Sequence, residues 1–440
     1  MYNKDRFSFF EIVKEVIHIH TKIKEIVNRT KEKYNLTNYH LYEYHIYRRI
    51  NIYNETEYHL SMEWFPQHIN ERIEEDLNPE GTAAIEINIH TGQTESIIFV
   101  GGNTYVTEPV FKSFCLDETV KFIEAETGLK FGEQFILTTE EKNRVHFQSV
   151  INGTSVSPSG QIEIECDSKG RLLHYSVYNP FPTKDQVKIE NYSLKPESVK
   201  SIILNQLKLI EFPSEKDQKL IPVYGIEEIF ITNNGSTTIP FDLLKSNREI
   251  TIDKRLKWQD CCQQNKFERI PLNFQKEITI EQALASEPHP DAMPITDVEK
   301  KQCESLVDDF LREVYPNDSE KWVLRTLHRD HGYIYATLRS FEQSNQIFQR
   351  KLLIMIESKT LKVHNYMDNM PLIELYDSYE RTDPIKVEKE TAYERLKHMI
   401  ELKPTYVYDD KNQQFILCGK LDSEYGIHAV TGEIVLLNDL

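Results

Sequence analysis

The sequence predicts an α+β chain of tandem helix-plus-antiparallel-sheet modules arranged in two lobes. Three observations carry this. Apolar residues recur at spacings of three and four in five separate stretches, the pattern of a helix with one buried face. Behind each stretch the apolar period falls to two, as in half-buried strands. Turns containing glycine then recur between the strand-like runs, the self-similarity expected of a repeated supersecondary unit.

The first stripe, Phe9, Ile12, Val13, Val16, Ile23, Ile26 and Val27, predicts an amphipathic N-terminal helix. Alternating runs follow, among them 85–93 with a Thr-Gly turn and the return Ile97 to Phe99. The acid- and amide-rich stretch 66–81 splits them and reads as a surface loop. A second stripe, Val120 and Ile123 behind Asp117, leads into strands over 145–151, 161–166 and 171–178, with turns at Asn152-Gly153 and 167–170. Asn-Gly favours a two-residue hairpin because both central positions need positive φ.

The third stripe is Val199, Ile202, Ile203, Leu207 and Ile210, with Ser193 and Pro196 as cap and first-turn proline. The fourth is Cys303, Leu306, Val307, Phe310, Leu311 and Val314. Thr296 and Glu299 have capping-box spacing before it, and Pro316 stops it. Strands over 322–327, 333–341, 348–356 and 361–366 follow, with turns at 329–332 and 357–360. The fifth stripe, Ala392, Leu396, Met399 and Ile400, precedes strands that close on a second Thr-Gly turn, Thr431-Gly432. The expected organisation is an N-terminal helix-plus-sheet module over 1–112, a long-then-short module pair over 113–245, an irregular linker over 246–295 and a second pair over 296–440. The linker carries Pro271, Pro288, Pro290 and Pro294, a short helical candidate after Thr279, and Trp258 as a tether.

A length of 440 residues exceeds one ordinary core. Hydrophobic residues at 39% supply material for several. The net charge of -18 opposes nucleic-acid binding, since acids and bases are interspersed and leave no basic stripe. No apolar run approaches the ~18 residues of a membrane-spanning helix, so no membrane partner is expected. The opening residues lack a secretory pattern, which predicts a cytoplasmic location. The six cysteines lack paired metal-ligand spacing and read as reduced, buried thiols; the adjacent Cys261 and Cys262 would strain a bridge.

Imidazoles are frequent metal ligands, but the spacing of the histidines in this chain is unfavourable for sharing one ion. On a helix His18 and His20 diverge by about 200°. His40 and His45 are expected on opposite strand faces, and His328 and His331 flank a polar turn with Asp330. Ser155, Ser157 and Ser159 and the pair Gly101-Gly102 lack the flanking residues of a nucleophile elbow or phosphate loop and read as turns. Alternation in the run 39–49 places Tyr42 and Tyr44 opposite Tyr39, Leu41 and Tyr47. Tyr and Arg favour contact patches, so Tyr42, Tyr44 and Arg48 are the expected partner-binding residues. No catalytic, cofactor-binding or metal-ligating residue is expected.

The helix followed by Val145-His-Phe-Gln-Ser-Val-Ile-Asn-Gly and then Gln161-Ile-Glu-Ile-Glu-Cys-Asp-Ser-Lys-Gly-Arg-Leu resembles PepSY-like modules, and most nearly tandem repeat proteins of the YcdB/YcdC type. Phe147 through Val156 and Gly160 to Tyr175 match that pattern of strand, Asn-Gly turn, strand, Gly turn and strand; Val430-Thr-Gly-Glu-Ile matches its closing motif. The motif is made of turn glycines and core strands. The resemblance implies the fold, an exported or envelope setting, and regulation of peptidases by binding. It carries over no catalytic residue, and the opening of this chain departs from it in lacking a leader. The expected function is therefore that of a non-catalytic binding or regulatory protein with a protein partner, such as a peptidase. A hydrolase with an unrecognised site and a self-associating structural protein are the alternatives.

Overall fold

The computed structural model describes residues 20–440 except 73, 75–76, 180, 242–247, 260–265, 275–276, 342–346, 377 and 382–383. Most of the first predicted stripe, His18 and the Cys261-Cys262 pair lie outside the described residues.

In chain order, helix α1 (Thr21–Lys33) precedes β1 (Tyr39–Ile50), β2 (Thr56–Pro66), β3 (Ala83–Asn88) and β4 (Thr94–Phe99). Helix α2 (Leu116–Thr127) precedes β5 (Phe135–Glu140), β6 (Arg144–Ile151), β7 (Thr154–Ser157), β8 (Gln161–Cys166) and β9 (Leu172–Tyr178). Helix α3 (Lys200–Gln206) precedes β10 (Leu207–Ser214), β11 (Lys219–Ile226), β12 (Ile229–Thr232) and β13 (Thr238–Pro240). After β14 (Glu249–Arg255) and α4 (Ile280–Leu284), helix α5 (Asp297–Val314) precedes β15 (Trp322–Asp330), β16 (Tyr333–Ser340), β17 (Lys351–Glu357) and β18 (Lys362–Asp368). The chain closes with α6 (Met370–Glu374), β19 (Glu380–Arg381), α7 (Lys389–Leu396), β20 (Glu401–Asp409), β21 (Gln414–Asp422), β22 (Tyr425–His428) and β23 (Ile434–Leu436). The protein is thus α+β and mostly antiparallel sheet.

Three sheets result. The largest runs β1-β2-β3-β4-β9-β8-β6-β7-β20-β21-β12-β13, with β5 on β6; a second runs β10-β11-β22-β23, with β19 on β11; the third is β14 to β18 in order. Among the strands of the described residues, only β7–β20 and β11–β19 pair in parallel. The helix-and-strand sets led by α3 and α7 interlace. Strands β10 and β11 join β22 and β23, while β20 and β21 join β12 and β13, so each set places its first two strands in one sheet and its last two in the other. These pairings cross the linker that the sequence suggests.

The second and fourth apolar stripes lie on helices as their period predicts. Helix α5 buries Cys303, Val307, Phe310, Leu311 and Val314 against β14–β18, and the Thr296/Glu299 capping box closes its first turn. Helices α1 and α2 cover the first sheet, and α3 and α7 share a core with Ile229, Ile231, Leu421 and Ile427. Asn152 (φ 49) and Gly153 (φ 81) form the expected left-handed hairpin turn. Two expectations change. The third stripe does not continue helically to Ile210: α3 ends at Gln206 and Leu207–Ser214 pairs with β11, because Ile210 and Phe212 gain ladder bonds and packing there. Nor is 246–295 irregular throughout. It supplies the edge strand β14, buries Trp258 with its indole N–H donated to the Pro316 carbonyl at 3.0 Å, and packs Ile280 and Ala283 of α4 into the first core.

Candidate functional site

Strands β1–β4 form a meander whose one face carries the first core, through Tyr58, Leu60, Met62 and Trp64 of β2. Period-two alternation therefore sends Glu57 and His59 to the opposite face. On β1, Tyr47 pairs with His59 and Arg49 with Glu57; on β3, Asn88 pairs with His59. On β4 the register shifts between Glu86 and Ile87 so that Glu95 is the extra residue. A bulge re-aims a side chain, and here it brings the Glu95 carboxylate beside His59.

The result is a charged group spread over four strands. His59 has no exposed surface. Its Nδ1 lies 2.9 Å from Glu95 Oε2 and its Nε2 3.7 Å from Glu57 Oε2. The distances suit ion pairing but the directions do not suit hydrogen bonds, so neither ring nitrogen has a properly directed partner. Tyr47 stacks on the imidazole with ring centroids 5.2 Å apart and donates its hydroxyl to Glu86 at 2.7 Å. Burial and the Glu86 charge push the Tyr47 phenol up, so it stays a donor. Arg49 pairs with Glu95 through Nη2 and approaches Glu57 at 3.5 Å. The far oxygens are held separately: Asn51 donates to Glu57 Oε1 at 3.0 Å and Asn88 to Glu95 Oε1 at 3.5 Å. Burial raises the Glu95 carboxyl, but the close approach of His59 and Arg49 outweighs it and holds the group below the usual carboxylate range.

This face opens onto two cavities. One, of about 550 Å³, is bounded by Glu57, Glu95 and Asn88 on one side and by Tyr178 and Phe181 on the other. The second, of about 610 Å³, lies between β1 and the segments 289–291 and 330–331. Arg49, Ile50 and Arg248 border both, so the two are adjoining parts of one cleft. Its far wall is pinned: buried Asp291 accepts the Gly332 N–H at 2.9 Å, and His45 bridges Glu43 (3.3 Å) and Glu277 (2.8 Å).

The residues singled out from sequence do not form one patch. A bulge between Leu41 and Glu43 flips the alternation of β1. Tyr44 consequently packs with Leu41 against the first core instead of opposite it, while Tyr47 faces away with His59, opposite Tyr44 as expected but parted from Leu41. The same bulge puts His40 and His45 on one face, as their partners Phe65 and Ser61 show. Tyr42 lies flat on Phe65 at 3.9 Å with the Arg72 guanidinium 5.1 Å from its ring. Arg48 donates to the Glu287 carbonyl at 3.1 Å. His331 reaches toward Asp330 at 3.6 Å while His328 lies toward Glu249 at 4.0 Å, so these two do not converge.

Glu57, His59 and Glu95 offer ligand atoms within 4.8 Å of one another. Sequence reasoning named none of them. The i, i+2 spacing of Glu57 and His59 within an alternating strand was the available signal; Glu95 depends on a bulge and a register that spacing alone does not specify.

These features define an α+β protein of antiparallel sheets with a charge-lined cleft. No protein-family model and no curated protein matches the chain. Among solved structures, the Bacillus megaterium YpeB C-terminal domain aligns with 80% of this chain and 97% of its own length, at 9% identity and a TM-score of 0.22. A likeness that remote carries no argument about fold or function. Among the described residues, no helix is long and apolar enough to cross a membrane.

Proposed function

We propose that this is a non-catalytic binding or regulatory protein that takes a segment of a protein partner into the cleft between β1 and the turns at 289–291 and 330–332. The observation that carries this reading is the cleft itself: two adjoining cavities of about 610 and 550 Å³, lined by side chains of both charges and by aromatic rings. Such a surface suits a polar, mixed-charge peptide better than an apolar small molecule. The thiols of Cys166, Cys303 and Cys418 are buried and pushed up to about 11, about 11 and about 12, which supports the reading over thiolate chemistry at those positions. A peptidase is one partner of this kind, as the resemblance to PepSY-like modules implies.

The test is comparative capture from native extract. The wild-type chain and a variant with its cleft filled by His331→Trp are used as baits, after circular dichroism shows both folded. A partner retained by the first and lost by the second supports the proposal. Identical captures, or turnover by the purified chain on a broad hydrolase panel, would overturn it.

A further inference from the structure

The group on the outer face of β2 and β4 has a feature that a simple ion-pair network does not need. A fully buried imidazole faces two carboxylates, and neither of its nitrogens has a directed hydrogen bond. Buried polar atoms are ordinarily satisfied, and an exception calls for a missing partner. We propose that Glu57, His59 and Glu95 form a binding site for zinc or a chemically similar divalent transition-metal ion.

Four observations support the assignment. A tetrahedral ion with bonds of 2.0–2.2 Å sets neighbouring ligand atoms roughly 3.4 Å apart. A single ion takes one imidazole nitrogen, and one atom from each of Glu57, His59 and Glu95 can be chosen so that all lie within 4.8 Å of one another, a spacing that modest side-chain rotation closes to that value. In both carboxylates Oε2 faces the imidazole while Oε1 is held by an amide, Asn51 for Glu57 and Asn88 for Glu95. Anchoring of the far oxygen is how outer partners orient metal ligands. Glu57 and Glu95 border the 550 Å³ cavity, which gives an ion a path to the otherwise enclosed His59. One imidazole with two carboxylates suits zinc and its neighbours rather than calcium or magnesium, which prefer oxygen alone.

Arg49 is the competitor. Its guanidinium lies against Oε2 of both carboxylates, so a metal ion and Arg49 are alternative counter-charges for one place. The side chain is 41% exposed and borders both cavities, so it can swing into the cleft when an ion arrives. Binding of the ion would then deliver a freed guanidinium to the wall of the cleft. The assignment itself does not depend on the cleft having a protein partner.

The experiment uses the full chain, stripped with a chelator and titrated with Zn²⁺ by calorimetry and with Co²⁺ by visible absorption. One saturable site is expected, with a cobalt spectrum of low coordination number. His59→Gln and Glu95→Gln are expected to lose about tenfold or more in affinity, and Arg49→Gln to bind more tightly than wild type. If either ligand variant fails to fold, Arg49→Gln decides, because a purely structural arginine would not weaken metal binding by its presence. No saturable binding, or equal affinity in wild type and all folded variants, would overturn the proposal and assign any zinc uptake to surface imidazoles.

Discussion

Gly170 closes the turn between β8 and β9 at φ +76. Its carbonyl accepts the N–H groups of Val110 and Phe111, both at 3.0 Å. A Cβ at this position would lie 2.1 Å from the Phe111 carbonyl oxygen. Gly170→Ala therefore combines backbone strain with a collision, and should cost about 2 kcal/mol or more. The midpoint of urea unfolding measures this, and an unchanged midpoint would contradict it. The face of His59 followed from alternation with Tyr58 and Leu60, but its companions came from β1 and β4, and pairing partners are not written in a period.

At the scale of elements, local signals were read well where they act within one segment. The capping box at Thr296 and Glu299 is formed as its spacing predicts: the Glu299 N–H reaches Thr296 Oγ1 at 3.2 Å, and Glu299 Oε2 accepts the Thr296 N–H at 2.8 Å. Thr296→Ala should cost about 1 kcal/mol, read as a lower melting temperature with the fold retained. Where an element depends on its neighbours, the reading failed. The bulge in β1 places Tyr44 against the core, and pairing with β11 makes Leu207 to Ile210 strand where the stripe predicts helix. The same strand β1 makes a pH prediction. Burial lowers the His45 imidazole, but its bonds to Glu43 and Glu277 outweigh this and raise it above the ordinary value. The contribution of the charged bridge is present below the ordinary imidazole pKa and is lost as pH rises through the elevated one. The bridge fastens the segment whose Ile278 N–H donates to the Ile46 carbonyl at 3.1 Å. Exchange of that amide, corrected for base catalysis, should accelerate with pH through the imidazole range. In His45→Gln the extra pH dependence should vanish.

For the whole molecule, the α+β class and the recurrence of a helix before antiparallel strands were legible, because both rest on periodicity. The interlacing of the sets led by α3 and α7 was not. Alternation specifies which side chains face a core, but many strands of equal polarity could complete a given sheet. Phe230 pairs with Lys420 and Tyr224 with Ile427, so neither set can bury its own apolar face. Removal of residues 386–440 should therefore strip hydrogen-exchange protection from 207–240, while α5 and β15–β18 keep theirs; preserved protection at β12 would refute a shared core. The same interlacing bears on how the protein is made. Strand β12 leaves the ribosome roughly 190 residues before β21, the strand on the edge opposite β13, a delay of about 10–40 s at ordinary rates of synthesis. Through that interval Phe230 and Ile231, both fully buried at the end, have only the cover of β13 and α3. The nascent chain is then most exposed to misassociation in its middle, and its yield in cells should respond to chaperone supply more than its equilibrium stability would suggest.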